Sequence, residues 1–169
     1  MQKHQHQRRN SSRYFFTQLK TTGRSKFAAL AVATAMSIGF AVPAHADTTG
    51  DRIVHLALTQ VGKPYVAGTQ GPSAYDCSGF TQWVIRKATG RTYVHSSRAQ
   101  YRTMLRIPKS KIRPGDLIFF FRNKAHHVGI YVGNGRIVHA SNPRRGVVVD
   151  HLRGGWFQKH ITGYARVIH

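Results

Sequence analysis

The chain has 169 residues, with 26 Lys+Arg against five acids, for a formal net charge of +21 with histidine neutral. All five acids are Asp (Asp47, Asp51, Asp76, Asp116 and Asp150), which excludes a glutamate-based glycosidase pair and an H-E-x-x-H zinc site. One cysteine, Cys77, excludes an internal disulfide framework and a Cys-built structural zinc site, and this length permits one domain.

Residues 1–26 hold seven basic residues and no acid. Phe27 to Val42 run without a charge, and Ala44-His45-Ala46 forms a small-x-small cleavage pattern. This order predicts a secretory signal peptide over residues 1–46, leaving residues 47–169 as a secreted or cell-envelope domain. The apolar run is short of the roughly 20 residues a bilayer core needs, so no stable membrane span is expected after cleavage. Arg8-Arg9 leaves the general and twin-arginine export routes both open. Residues 47–169 keep 19 basic residues and a net charge of +14. Such a field gathers anionic partners and weakens with salt. The basic residues are scattered rather than aligned in one stripe, so anionic cell-wall polymers are expected as partners and nucleic acid is not.

Apolar residues at Ile53, Val54, Leu56, Ala57 and Val61 predict a helix over 51–61, stopped by Gly62-Lys63-Pro64. Residues 65–75 read as a Gly/Pro/Ser loop. A second helix begins at Asp76 or Cys77, with Phe80, Val84, Lys87 and Ala88 on one face, Trp83 beside it and Gly90 as C-cap. Residues 98–105 predict a short third helix. From Pro114-Gly115-Asp116 onward the pattern turns to β: residues 117–121, 127–132, 136–141, 146–152 and 161–168 are β-branched and aromatic runs. Asn134-Gly135 between two of them is a hairpin signal. Helices followed by an antiparallel meander predict an α+β fold.

A lone cysteine is most often an inert, buried hydrophobe. Cys77, however, sits at a predicted helix N-terminus, where backbone N–H groups and the macrodipole favour thiolate. Its neighbours Asp76, Ser78 and Gly79 are polar or small. Asp76 is placed to cap the helix, and Gly79 to let the backbone approach a substrate. A cysteine nucleophile needs a base and a third group that orients it. Of the eleven histidines, His4, His6 and His45 fall in the leader. His55, His95, His151, His160 and His169 stand singly and read as surface or packing residues. His127 opens a strand opposite the Val128, Ile130 and Val132 face, and the hairpin brings it alongside the strand bearing His139. His126, His127 and His139 as a metal site lack an acid at ligand spacing, so no metal or cofactor is expected.

Pro64-Tyr65, Asp76-Cys77-Ser78-Gly79-Phe80, Pro114 to Phe119, His127 to Tyr131 and Val138-His139-Ala140 occur in this order, with His127 fifty residues after Cys77 and His139 twelve after His127. Together they resemble the NlpC-type cell-wall cysteine peptidases over residues 51–168. The resemblance implies a papain-like α+β domain, with N-terminal helices packed on a small antiparallel sheet. It implies Cys77 as nucleophile, His127 as base and His139 as the orienting member. It places Tyr65 near the oxyanion and Asp76 and Ser78 beside the substrate's free amine. The implied substrate is a peptidoglycan stem peptide, cut between γ-D-glutamyl and the diamino acid by a Cys77 thiolate paired with a His127 imidazolium. Val66-Ala67-Gly68-Thr69 stands where the family often has an aromatic and Gly-Gly, and His126 replaces a smaller residue. A catalytically inactive, basic wall-binding module is the alternative.

Overall fold

A computed structural model of the chain describes residues 48–121 and 124–167; the expected leader over 1–46 and His169 lie outside them. The first helix, α1 (Thr49–Leu58), starts at a reciprocal cap in which Thr48 and Asp51 each accept from the other's backbone N–H. It presents Ile53 and Ala57 to the core. The second, α2 (Cys77–Thr89), begins at the Asp76 N-cap and ends at Gly90 in the left-handed conformation (φ 75°). Its buried face carries Phe80, Val84 and Ile85, while Lys87, expected on that face, is exposed. Ile85 takes the place in the core that a charged Lys87 cannot fill without desolvating an ammonium. A short α3 (Ser97–Thr103) follows, capped by Ser96.

Six strands then form one antiparallel sheet: β1 (Leu105–Ile107), β2 (Leu117–Phe120), β3 (His127–Gly133), β4 (Arg136–Asn142), β5 (Gly146–His151) and β6 (Ile161–Arg166). A six-residue α4 (Gly155–His160) precedes β6. The spatial order is β1-β6-β2-β3-β4-β5. Strands β2 to β5 are the expected meander, but β6 returns across the sheet to lie between β1 and β2. Asn134 (φ 52°) and Gly135 (φ 67°) make the two-residue β3–β4 turn, whose positive dihedrals Asn-Gly tolerates.

Alternation along the strands divides the apolar residues between two faces. Leu117, Phe119, Val128, Ile130, Val138, Ala140, Val147 and Ala165 meet α1 and α2 in the main core. Each of the Leu, Phe, Val and Ile side chains among them contributes about 1.5–3 kcal/mol when fully buried. Ile118, Phe120 and Ile137 form a second cluster with Phe157, Ile161 and Tyr164. Among the described residues no helix is long and apolar enough to cross a membrane.

Candidate active site

The N-terminus of α2 opens into a cleft of about 310 Å³ lined by Tyr65, Asp76, Cys77, Ser78, His95, Arg98 and His126 among others. The cleft thus gathers Tyr65, Asp76 and Ser78 around the Cys77 thiol, while His127 and His139 are not among its lining residues. Asp76 holds this end of the helix. Its Oδ1 accepts from the Gly79 N–H (2.7 Å) and the Ser78 hydroxyl (3.1 Å). Its Oδ2 accepts from the Gly68 N–H (3.0 Å) and lies 2.7 Å from His95 Nε2. Burial raises the Asp76 carboxyl's pKa, but the Gly79 N–H, His95 and Ser78 outweigh it, leaving the group below the usual carboxylate range. Two expectations change here. His95, read as a surface or packing residue, is part of the site. Gly79 faces the loop rather than a substrate, since a Cβ there would strike the Thr69 carbonyl oxygen.

The Cys77 sulfur lies 3.8 Å from the His126 carbonyl oxygen, with the Val128 N–H also directed at it. It therefore rests against the first residues of β3. Burial pushes the thiol up to about 11 and the Asp76 charge adds to this, outweighing the N–H groups of Val128, Ser78 and Cys77 itself. Burial also lowers His127 to about 3, with His139 acting in the same direction. Both shifts favour a neutral thiol and a neutral imidazole over the expected thiolate and imidazolium. Burial costs the charged forms more than the neighbouring N–H groups return.

His127 and His139 are joined by a 2.7 Å hydrogen bond between His127 Nε2 and His139 Nδ1. The His127 ring lies against Phe120 and the His139 ring against Phe157. His139 is 1% exposed. Gly129 makes this arrangement possible: a Cβ there would sit 3.1 Å from the His139 Cβ and 3.3 Å from the Val138 carbonyl. Gly129→Ala is expected to destabilise the fold by about 1–3 kcal/mol, as overpacking does. A denaturant midpoint checks this; no shift would show that β4 yields without cost.

Beyond His139 the contacts continue to a residue the sequence reading did not single out. Asp150 Oδ2 lies 3.0 Å from His139 Nε2, and Arg145 grips both Asp150 oxygens at 2.7 Å. Arg145 first, then His139, hold the Asp150 carboxyl below its ordinary range despite burial. Among the described residues no three His, Cys, Asp or Glu side chains are grouped as a metal ion requires.

Residues 62–166 match the NlpC/P60 family. The chain belongs to the NlpC/P60 family. It is 41% identical over 116 residues to the probable endopeptidase p60 of Listeria monocytogenes, an overlap of 68% of this chain and 23% of that protein. The chain thus spans about a quarter of that relative's length. The solved NlpC/p60 domain of the peptidoglycan hydrolase SagA is 33% identical with a TM-score of 0.63, covering 70% of this chain and 98% of that one. RipD from Mycobacterium tuberculosis, a non-catalytic NlpC/p60 domain protein adapted to peptidoglycan binding, is 24% identical with a TM-score of 0.62, covering 72% and 98% respectively. That last likeness shows the fold alone.

Within this NlpC/P60 domain, two side chains in contact with the expected site residues escaped the sequence reading. His95 sits in a loop nineteen residues beyond Asp76, and no periodicity marks it. Asp150 lies diagonally across from His139, because Val148 pairs with His139 and Asp150 with Ile137. An acid in alternation with apolar residues on the strand after His139 was the available signal.

Proposed function

We propose that the chain is a secreted cysteine peptidase that hydrolyses an amide in peptidoglycan stem peptides, the bond between γ-D-glutamyl and the diamino acid. The observation that carries this reading is the thiol at a helix N-terminus in an open cleft, against the strand whose first residue, His127, is hydrogen-bonded to His139. The endopeptidase name of the Listeria relative and the peptidoglycan hydrolase name of SagA support the substrate class. The basic surface suits a wall rich in carboxylates and anionic polymers.

In this mechanism the Cys77 sulfur attacks the amide carbonyl carbon as His127 Nδ1 takes the thiol proton. The Cys77 N–H and the Tyr65 hydroxyl donate to the oxyanion. Burial raises the Tyr65 pKa, and the negative charge of Cys77 once ionised and that of Asp76 act in the same direction, so its hydroxyl keeps the proton it donates. One such donor is commonly worth about 3 kcal/mol. His127 then hands its proton to the departing amine, and the thioester is hydrolysed by water that His127 activates. Asp76 and Ser78 receive the substrate's free amine at the cleft wall.

The purified protein and its Cys77→Ala variant, given muropeptides with intact stem peptides, test this by mass spectrometry. Fragments from the wild type alone are expected, their masses naming the bond. A second reading, wall binding without cleavage, is favoured by the shared fold of non-catalytic RipD. It predicts that both proteins bind wall and neither releases a product.

A further inference from the structure

We propose that Asp150, braced by Arg145, is a positioning residue that fixes which nitrogen of His127 carries the proton. The inference rests on the reading of Cys77 as nucleophile and His127 as base, and extends it two residues outward.

Donors and acceptors alternate along one line of contacts from Arg145 to His127. The Asp150 carboxylate, gripped on both oxygens by Arg145, only accepts hydrogen bonds. The group 3.0 Å from its Oδ2, His139 Nε2, therefore carries a hydrogen. A neutral imidazole protonated on Nε2 has a bare Nδ1. His139 is neutral in this nearly sealed position, where burial outweighs the pull of Asp150. Its Nδ1 accepts at 2.7 Å from His127 Nε2, which must then carry the second hydrogen. His127 is left with its lone pair on Nδ1, the nitrogen not engaged by His139. That is the protonation state a general base for a neutral thiol needs.

Without a carboxylate at position 150, nothing holds the hydrogen on His139 Nε2. The opposite arrangement, Nδ1–H of His139 donating to His127 Nε2, has the same two rings in the same places. It puts a hydrogen on His127 Nδ1 and blocks proton abstraction. The strand register supplies the device: Asp150 and His139 project from the same face of adjacent strands, and Arg145 comes from the turn joining them.

Asp150→Asn separates this role from a merely structural one. Arg145 claims the amide oxygen and turns the amide N–H toward His139, enforcing the wrong tautomer. The expected result is a fall in kcat of ~10²-fold or more with KM little changed; a wrong tautomer in a Ser–His–Asp site is worth about 10⁴. Arg145→Ala keeps the carboxylate and is expected to lose less than tenfold. Nitrogen-15 NMR of the imidazoles gives an answer independent of turnover: wild-type His139 shows a protonated Nε2 and bare Nδ1, and Asp150→Asn reverses them. Wild-type kcat in Asp150→Asn, or a wild-type His139 protonated on Nδ1, overturns the proposal. A wild type that cleaves nothing counts against the peptidase reading instead, and the NMR result alone then decides this one. Where Asp150→Asn fails to fold by near-ultraviolet circular dichroism, the wild-type tautomer remains the deciding observation.

Discussion

His127→Ala lowers kcat by about 10²–10⁴, the usual contribution of a positioned general base, while leaving the pH profile of Cys77 alkylation almost unchanged. The second half of this expectation follows from the neutral resting pair. With the thiol near 11 and His127 near 3, neither group is charged between about pH 5 and 9, so His127 does not stabilise a standing thiolate. Alkylation by iodoacetamide should rise with pH toward the thiol's own titration in both wild type and variant. Turnover behaves differently, because His127 takes the proton only as sulfur attacks. A wild-type alkylation rate that is already flat below pH 7, and that collapses in His127→Ala, would demonstrate a preformed ion pair and refute the neutral one. Comparing the two profiles therefore distinguishes concerted proton transfer from a stored thiolate.

Asp116→Ala is expected to cost about 3–5 kcal/mol of stability, a large part of a small domain's total of about 5–15. The carboxylate stands just before β2, and its side chain is 4% exposed. Arg166 of β6 grips both its oxygens at 2.7 Å, and the Arg113 N–H donates to it at 2.7 Å. Truncation strands a partly buried guanidinium and an N–H together. Urea unfolding with m unchanged and the midpoint lowered is the measurement. A loss below about 1 kcal/mol would rank the pair with ordinary surface ion pairs and remove it as the anchor of β6. An Arg166→Ala double-mutant cycle would then apportion the coupling.

Local signals made the parts of this fold readable, and long-range pairing hid the rest. The α2 start was legible because Asp76 is an N-cap and Gly90 a left-handed terminus, both decided within a few residues. Asn134-Gly135 fixed a hairpin, and with it the neighbourhood of His127 and His139. The insertion of β6 between β1 and β2 depends on contacts some fifty residues apart and on a buried ion pair, neither of which leaves a periodic trace. Strand β1 and helix α4 are three and six residues long, too short for periodicity to register. At the site, a helix N-terminus argues for thiolate, while burial, invisible in sequence, pushes the Cys77 thiol up. Asp150 required the β4–β5 register, which fixes which acid faces His139.

The place of β6 also governs when the domain can exist at all. Synthesis proceeds from the N-terminus, yet the strand that fills the gap between β1 and β2 follows every other strand of the sheet in the chain. A nascent chain stopped before Ile161 has two unpaired strand edges and an Asp116 without its arginine. Completion of the sheet waits for that strand, because closing so long a loop is entropically costly until its contacts form. A polypeptide that delays the closing of its sheet in this way stays open and threadable while it is being made.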